Sequence, residues 1–406
     1  MISRDEYLNK LISWKDKKVI KVITGIRRCG KSTLMNFYCE YLLHSGVKED
    51  NIIYLNFEDL ENESLLNYSA LYEYIKSKIK TKKKYYILLD EIQKVEDFQK
   101  AVDSIALKDN TDIVITGSNA YLLSGELATL LSGRYVEIKM LPLSFKEFCE
   151  IKGGTDHDSL FAEYLKNGSL PYVASLDDES LTEIYLEGIY NTIIIKDIEE
   201  RQKRKEADSE KRKVNDIVLL KNIAKFLAAN IGNPVSVKSI ADFIVSSGRK
   251  VSQNTVSDYI EALTEPYIFY AAERYDVSGK QLLKTNLKYY IADLGLRRYM
   301  VQKKNYDLGF MLENVIYFEL LRRGYRVNVG KINSLEVDFV ATKEEKIQYI
   351  QVTADMTNES TFKREMKALN AIADNYEKTV ITLDKFTQGN YDGIKVVNAI
   401  DWLLNS

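Results

Sequence analysis

One stretch constrains this chain more than any other: Gly25-Ile26-Arg27-Arg28-Cys29-Gly30-Lys31-Ser32, an uninterrupted G-x-x-x-x-G-K-S. It follows the apolar run VIKVIT and opens a helical pattern at 32–43, so a strand, a glycine turn and a helix start stand in series. Backbone N–H groups and the positive helix end then face one anion. A parallel sheet is the scaffold that presents such a turn, and the first 150 residues alternate β-branched runs with helical patterns as that scaffold requires. Strands are predicted at 19–24, 52–57, 85–90, 112–116 and 135–140.

The motif specifies its own chemistry. Gly25 and Gly30 permit a tight wrap, and the backbone from Gly25 through Thr33 cradles phosphates. Lys31 is expected to reach the β- and γ-phosphates of ATP, and the Ser32 hydroxyl to ligate Mg²⁺. The strand YYILLD ends in Asp90, a metal-side carboxylate, and the adjoining Glu91 is placed to orient and deprotonate an attacking water. Asn119, just beyond the strand at 112–116, is expected near the γ-phosphate or that water. Arg134 is a candidate arginine finger acting on a neighbouring copy's γ-phosphate, which implies a homo-oligomer.

Composition narrows the alternatives. The chain has 406 residues, enough for two or three domains, with two histidines and three cysteines, too few and scattered for an ordinary zinc site or a disulfide framework. Neither histidine stands beside a nucleophile signature, so carboxylates, a lysine and a bound metal are left to carry any catalysis. No run approaches the roughly 18 apolar residues of a membrane span, and the amino terminus does not read as a secretory signal, so a cytoplasmic location without membrane contact is expected. The formal charge of −2 hides an asymmetry: residues 201–300 hold 18 Lys and Arg against 11 Asp and Glu. DNA, if bound, should meet that segment.

Within it, Ser236 and Ser252 are predicted to cap the two helices of a helix-turn-helix, with Ile240, Phe243, Val256, Tyr259, Ile260 and Leu263 as its core. Its exposed positions are Gln253, Asn254, Ser257 and Asp258, flanked by Arg249 and Lys250. Two strands follow, YIFYAAERY and LKYYIA, an order that suggests a winged helix. From about residue 307 a helix at 312–323 precedes strands at 325–329, 336–341 and 348–352, a helix from 362 and a last strand at 379–383.

The blocks GIRRCGKST, YYILLDE, ITGSNA and LSGRYVEIKMLPLSFKEF, with NGSLPYV, NTIIIKDIEER, KYYIADLGLR and GFMLENVIYFELLRRGYRVNVG later on, resemble a prokaryotic family of AAA-type P-loop ATPases. The resemblance covers nearly the whole chain. It implies an α/β fold: an AAA-type P-loop domain at 1–150, a helical connector at 151–214, a winged helix at 215–305 and a small restriction-endonuclease-like α/β domain at 306–406. It also implies that Lys31, Ser32, Asp90, Glu91, Asn119 and Arg134 carry the AAA roles. In the last domain Glu313 and Asp338 match the first two metal-binding positions of the PD-(D/E)xK pattern. The third departs from it, because Gln351-Val352-Thr353 stands where Glu-x-Lys belongs and only Lys363 on the next helix offers a cation. A degenerate nuclease site is expected. The leading expectation is a Mg²⁺-dependent ATPase that rearranges its later domains; the alternatives are an ATP-gated nucleic-acid-binding or scaffold protein and an ATP-dependent nuclease.

Overall fold

The computed structural model describes residues 2–117, 133–193, 216–301 and 307–405. They form two compact units, one of residues 1–142 with 265–267, the other of residues 143–264 with 268–406.

The first unit is built on five parallel strands, β1 (Ile20–Thr24), β2 (Ile52–Asn56), β3 (Tyr85–Asp90), β4 (Thr111–Gly117) and β5 (Tyr135–Lys139), in the order β2-β3-β4-β1-β5. Helices on its faces explain why β1, β3 and β4 are buried along their whole length and read as apolar runs rather than alternating ones. Leu55, Ile87, Leu89, Val102, Ile105 and Ile115 belong to the core on one face. An ion pair lies within this interior: Lys21 of β1 and Asp112 of β4, both fully buried, meet at 2.8 Å. Asp112 also accepts the Asp16 N–H at 2.6 Å. The strand order sets β4 between β3 and β1, so the carboxyl ends of these three strands adjoin, which is where open α/β sheets bind ligands.

The second unit begins with helices Phe145–Lys152, His157–Asn167 and Glu179–Asn191 and continues through Ile217–Ala229. Helices Val237–Ser246 and Gln253–Thr264 occupy the predicted helix-turn-helix positions. Ser236 caps the first in a reciprocal box with Ser239, and the Ser252 hydroxyl accepts the Thr255 N–H at 3.1 Å, which opens the second. Phe243 departs from the expected core: it is half exposed, and its ring lies 4.9 Å from that of Phe226 on the preceding helix Ile217–Ala229. The run EERQKRKEADSEKRK lies outside the described residues.

Nine strands make the second sheet: β6 (Pro234–Val235), β7 (Phe269–Asp276), β8 (Gln281–Ile291), β9 (Arg326–Ile332), β10 (Leu335–Lys343), β11 (Lys346–Thr353), β12 (Glu377–Thr382), β13 (Gly389–Tyr391) and β14 (Ile394–Asn398). Their order is β13-β14-β12-β11-β10-β9-β7-β8-β6. The hairpin β7-β8 therefore does not end a separate module. β7 runs parallel to β9, pairing Arg274 with Val329 and Asp276 with Lys331, so the division expected at 305/306 separates strands of one sheet. An exposed hairpin edge is a template for unwanted pairing, and continuing the sheet removes it. The strand expected to be last is followed by two more; β14 extends the sheet parallel to β12, and β13 is three exposed residues with no apolar signature.

Candidate functional site

The P-loop wraps from β1 into the helix Lys31–His44. A side chain at Gly25, with φ +148°, would put its Cβ 2.1 Å from the Met140 carbonyl, so only glycine fits. Gly30, at φ +105°, caps the helix, and Arg28 holds φ +67°, a left-handed conformation that costs about 1 kcal/mol or more for a residue with a Cβ. Arg4, buried from the helix Asp5–Ser13 side, donates to the carbonyls of Cys29 at 3.2 Å and Leu141 at 2.9 Å and so fixes the back of the loop. Cys29 is wholly buried, and that burial raises its thiol pKa, so it packs rather than reacts.

Lys31 is 4% exposed. Its ammonium donates to the carbonyls of Gly25 at 3.2 Å and Ile26 at 3.3 Å and lies 3.9 Å from Glu91 Oε1. Asp90 ends β3 with no exposure; the Thr116 hydroxyl donates to its Oδ1 and the Tyr54 hydroxyl to its Oδ2 at 3.2 Å. Burial raises the Asp90 pKa, while hydrogen bonds from Thr116 and Ser32 pull against it. Glu91 adopts φ +53°; its N–H donates to Thr116 Oγ1 at 3.0 Å and its Oε2 accepts from the Gln93 amide. Arg27 turns toward Glu58, at 2.9 Å.

The structure thus gathers Lys31, Ser32, Asp90 and Glu91 at the ends of β1 and β3, as the spacing predicts. It adds Thr116, at the end of β4, which bonds both acids' segments, and Gln93. Neither was singled out from the sequence, though a hydroxyl residue closing an apolar strand between the other two was a readable signal for Thr116. Ser32 and Asp90, joined by their hydrogen bond, are hard oxygen donors of the kind Mg²⁺ takes. Arg134 is exposed at the start of β5, its carbonyl accepting the Ile20 N–H at 2.8 Å, and Asn119 lies outside the described residues.

The second unit brings Glu313, on the helix Leu308–Arg322, and Asp338, on β10, together around a cation that sequence reading missed. Lys288, on β8, is 2% exposed and directs its ammonium to Glu336 at 2.8 Å, Glu313 at 3.0 Å and Asp338 at 3.8 Å. The Tyr290 hydroxyl donates to Glu313 at 2.6 Å. Burial opposes the Lys288 ammonium, but the three carboxylates outweigh it and raise its pKa. Burial likewise raises Glu313 and, more strongly, Asp338, whose Oδ2 accepts the Val352 N–H at 2.8 Å. Gln351 accepts the Asp338 N–H at 3.3 Å and donates to Glu365 at 2.8 Å, bridging where a charged ligand was absent from the pattern. Lys363 pairs with exposed Glu359 at 2.5 Å. Among the described residues no group of three or more His, Cys, Asp or Glu side chains is arranged to hold a metal.

Residues 17–149 match an AAA domain, and residues 158–307 match a domain of unknown function, DUF8612. A Haemophilus influenzae protein described as uncharacterized is 45% identical over 409 residues, covering 100% of this chain and 99% of its own. The uncharacterized protein MJ1544 of Methanocaldococcus jannaschii is 31% identical over 378 residues, covering 89% of this chain and 78% of its own. Among solved structures, the Walker-type ATPase PABY2304 of Pyrococcus abyssi covers 74% of this chain and 96% of its own with TM-score 0.49 and 16% identity. No helix among the described residues is long and apolar enough to cross a membrane.

Proposed function

The chain belongs to the family of the Haemophilus influenzae protein, and on that premise we propose that it is a Mg²⁺-dependent ATPase whose turnover rearranges its second unit. The observation that carries this reading is the convergence of Lys31, Asp90 and Glu91 at adjoining strand ends, with Lys31 3.9 Å from Glu91. Lys31 exchanges its two backbone carbonyl acceptors for β- and γ-phosphate oxygens, which are stronger acceptors for an ammonium. Ser32 and Asp90 hold Mg²⁺, which when bound neutralises charge on the β- and γ-phosphates. Glu91 accepts the proton of a water as its oxygen bonds to the γ-phosphorus, and the bond to the β-phosphate oxygen breaks to release ADP. Thr116 keeps Asp90 and the Glu91 backbone in register, and Gln93 orients the Glu91 carboxylate.

Two finer features belong to the same proposal. Arg134, exposed at the start of β5, completes a neighbouring copy's site, and Asn119 contacts the γ-phosphate or the water. If so, specific activity rises with protein concentration, and mixing Arg134→Ala with Glu91→Gln restores turnover at interfaces that pair an intact Glu91 with an intact Arg134; concentration-independent activity refutes the finger. Steady-state phosphate release with and without DNA is the test of the whole reading, since the proposed contact through 201–300 rests on exposed Lys250, Gln253, Asn254 and Ser257. The Lys288 ammonium among Glu313, Glu336 and Asp338 speaks for a binding or assembly role of the carboxy-terminal region over metal-dependent cleavage.

A further inference from the structure

Three residues are out of place in the chain's division. Glu265–Tyr267 belong to the first unit, although Thr264 before them and Ile268 after them belong to the second. Tyr267 is 5% exposed and holds φ +61°, a left-handed conformation that an aromatic residue rarely adopts and that persists only where its surroundings enforce it. Those surroundings are at the start of the P-loop. The Tyr267 hydroxyl donates to Glu137 Oε1 at 3.2 Å, and the same oxygen accepts from the Thr24 hydroxyl at 2.5 Å. The Lys139 ammonium lies 4.9 Å from the centre of the Tyr267 ring. Thr24 immediately precedes Gly25, its carbonyl accepts the Met140 N–H at 2.7 Å, and Gly25 is the position with no room for a Cβ beneath that strand.

We propose that Tyr267 is a positioning residue for the nucleotide site: through Glu137 and Thr24 it sets where the P-loop leaves β1, and so makes nucleotide affinity responsive to the chain segment that joins Tyr267 to the second unit. The inference rests on the ATPase reading above. Its chemistry is a ground-state one. The loop grips the phosphates alike before and during transfer, so loosening its start weakens binding and leaves the bond-breaking step alone.

The test uses the full-length protein with a fluorescent ATP analogue and Mg²⁺, alongside steady-state phosphate release. Tyr267→Phe keeps the ring and deletes the hydroxyl's bonds to Glu137 and Thr24, so Kd and KM are expected to rise at least about five-fold, the net worth of one such bond, with kcat within about two-fold. A side chain that merely fills space would lower the melting temperature without that split. Coupling supplies a second readout: Glu137→Ala together with Tyr267→Phe should weaken binding by less than the product of the two single effects, because both residues act on Thr24. If Tyr267→Phe does not fold, Glu137→Met, which keeps the side-chain length but offers no oxygen acceptor, is expected to show a comparable rise in KM at constant kcat. Wild-type affinity in Tyr267→Phe, or effects that multiply in the double variant, overturns the role of Tyr267. Wild-type protein that binds no analogue overturns the ATPase reading itself, and is thereby told apart from failure of this one.

Discussion

Lys31 and Lys288 are both buried lysines facing carboxylates, and they are held in opposite ways. Lys31 rests on two neutral carbonyls, with Glu91 at 3.9 Å, whereas Lys288 is surrounded by three carboxylates, two of them within 3.0 Å. Neutral acceptors satisfy an ammonium without neutralising it, so Lys31 keeps a strong preference for an arriving anion. Lys288 has no such preference left. The same residue type therefore reads as a ligand-binding group in the first unit and as an internal counter-ion in the second, and the distinction lies in its partners, not its burial.

The contrast breaks most visibly at Glu91 and Lys31. Glu91→Gln is expected to retain nucleotide but lose turnover by on the order of 10² or more, read by phosphate release, because only water activation is removed. Lys31→Ala should abolish or severely weaken nucleotide binding while changing stability by no more than about 1 kcal/mol. Lys288→Met should do the reverse. Removing one partner from a buried ionic group costs about 3–5 kcal/mol, or roughly 6–20 °C in melting temperature for a unit of this size, with nucleotide affinity retained. Equal stability losses at the two lysines would erase the distinction.

Acidity sharpens it. Burial raises Glu313 and Asp338 above their unfolded pKa values, so both bind more protons folded than unfolded, and their contribution to stability falls as pH rises above about 4. Without Lys288 both rise further. The stability gap between Lys288→Met and wild type should accordingly be smallest near pH 5 and widen toward pH 8, in denaturant titrations at each pH; a gap independent of pH would contradict this. Chelation gives a complementary check: EDTA should stop turnover and leave the melting of the second unit unchanged, since the cation among its acids is covalently attached. The smallest effect is expected at Thr116→Val, about 1–3 kcal/mol of stability from two broken hydrogen bonds, with turnover lowered through misplacement of Asp90 and Glu91.

What could be read from the sequence follows the range of the interaction. The P-loop, its strand and Asp90-Glu91 are local patterns, and all five strands of the first sheet lie within about two residues of where β-branched runs predict them. Thr116, 25 residues from the backbone it supports at Glu91, and Lys288, 25 residues from Glu313, act across folds of the chain that periodicity does not encode. Lys21 did leave a mark: a lysine inside an apolar strand needs a buried acid, and Asp112 supplies it. The separate winged helix was misleading as a boundary because hairpin and helix patterns say nothing of which edge a strand finds, and β7 finds β9.

Because Glu265–Tyr267 complete a unit that otherwise ends at residue 142, the first unit is completed only well after its sheet has been synthesised. About 125 further residues must be translated before Tyr267 is made, roughly 6–25 s at typical elongation rates of 5–20 residues per second. Until then the hydroxyl that bonds Glu137 does not exist, and a ribosome-bound intermediate carries a P-loop without that contact. On the proposed role of Tyr267, full nucleotide affinity arrives only after the helices of the second unit up to Thr264 have been synthesised, when about two thirds of the polypeptide exists.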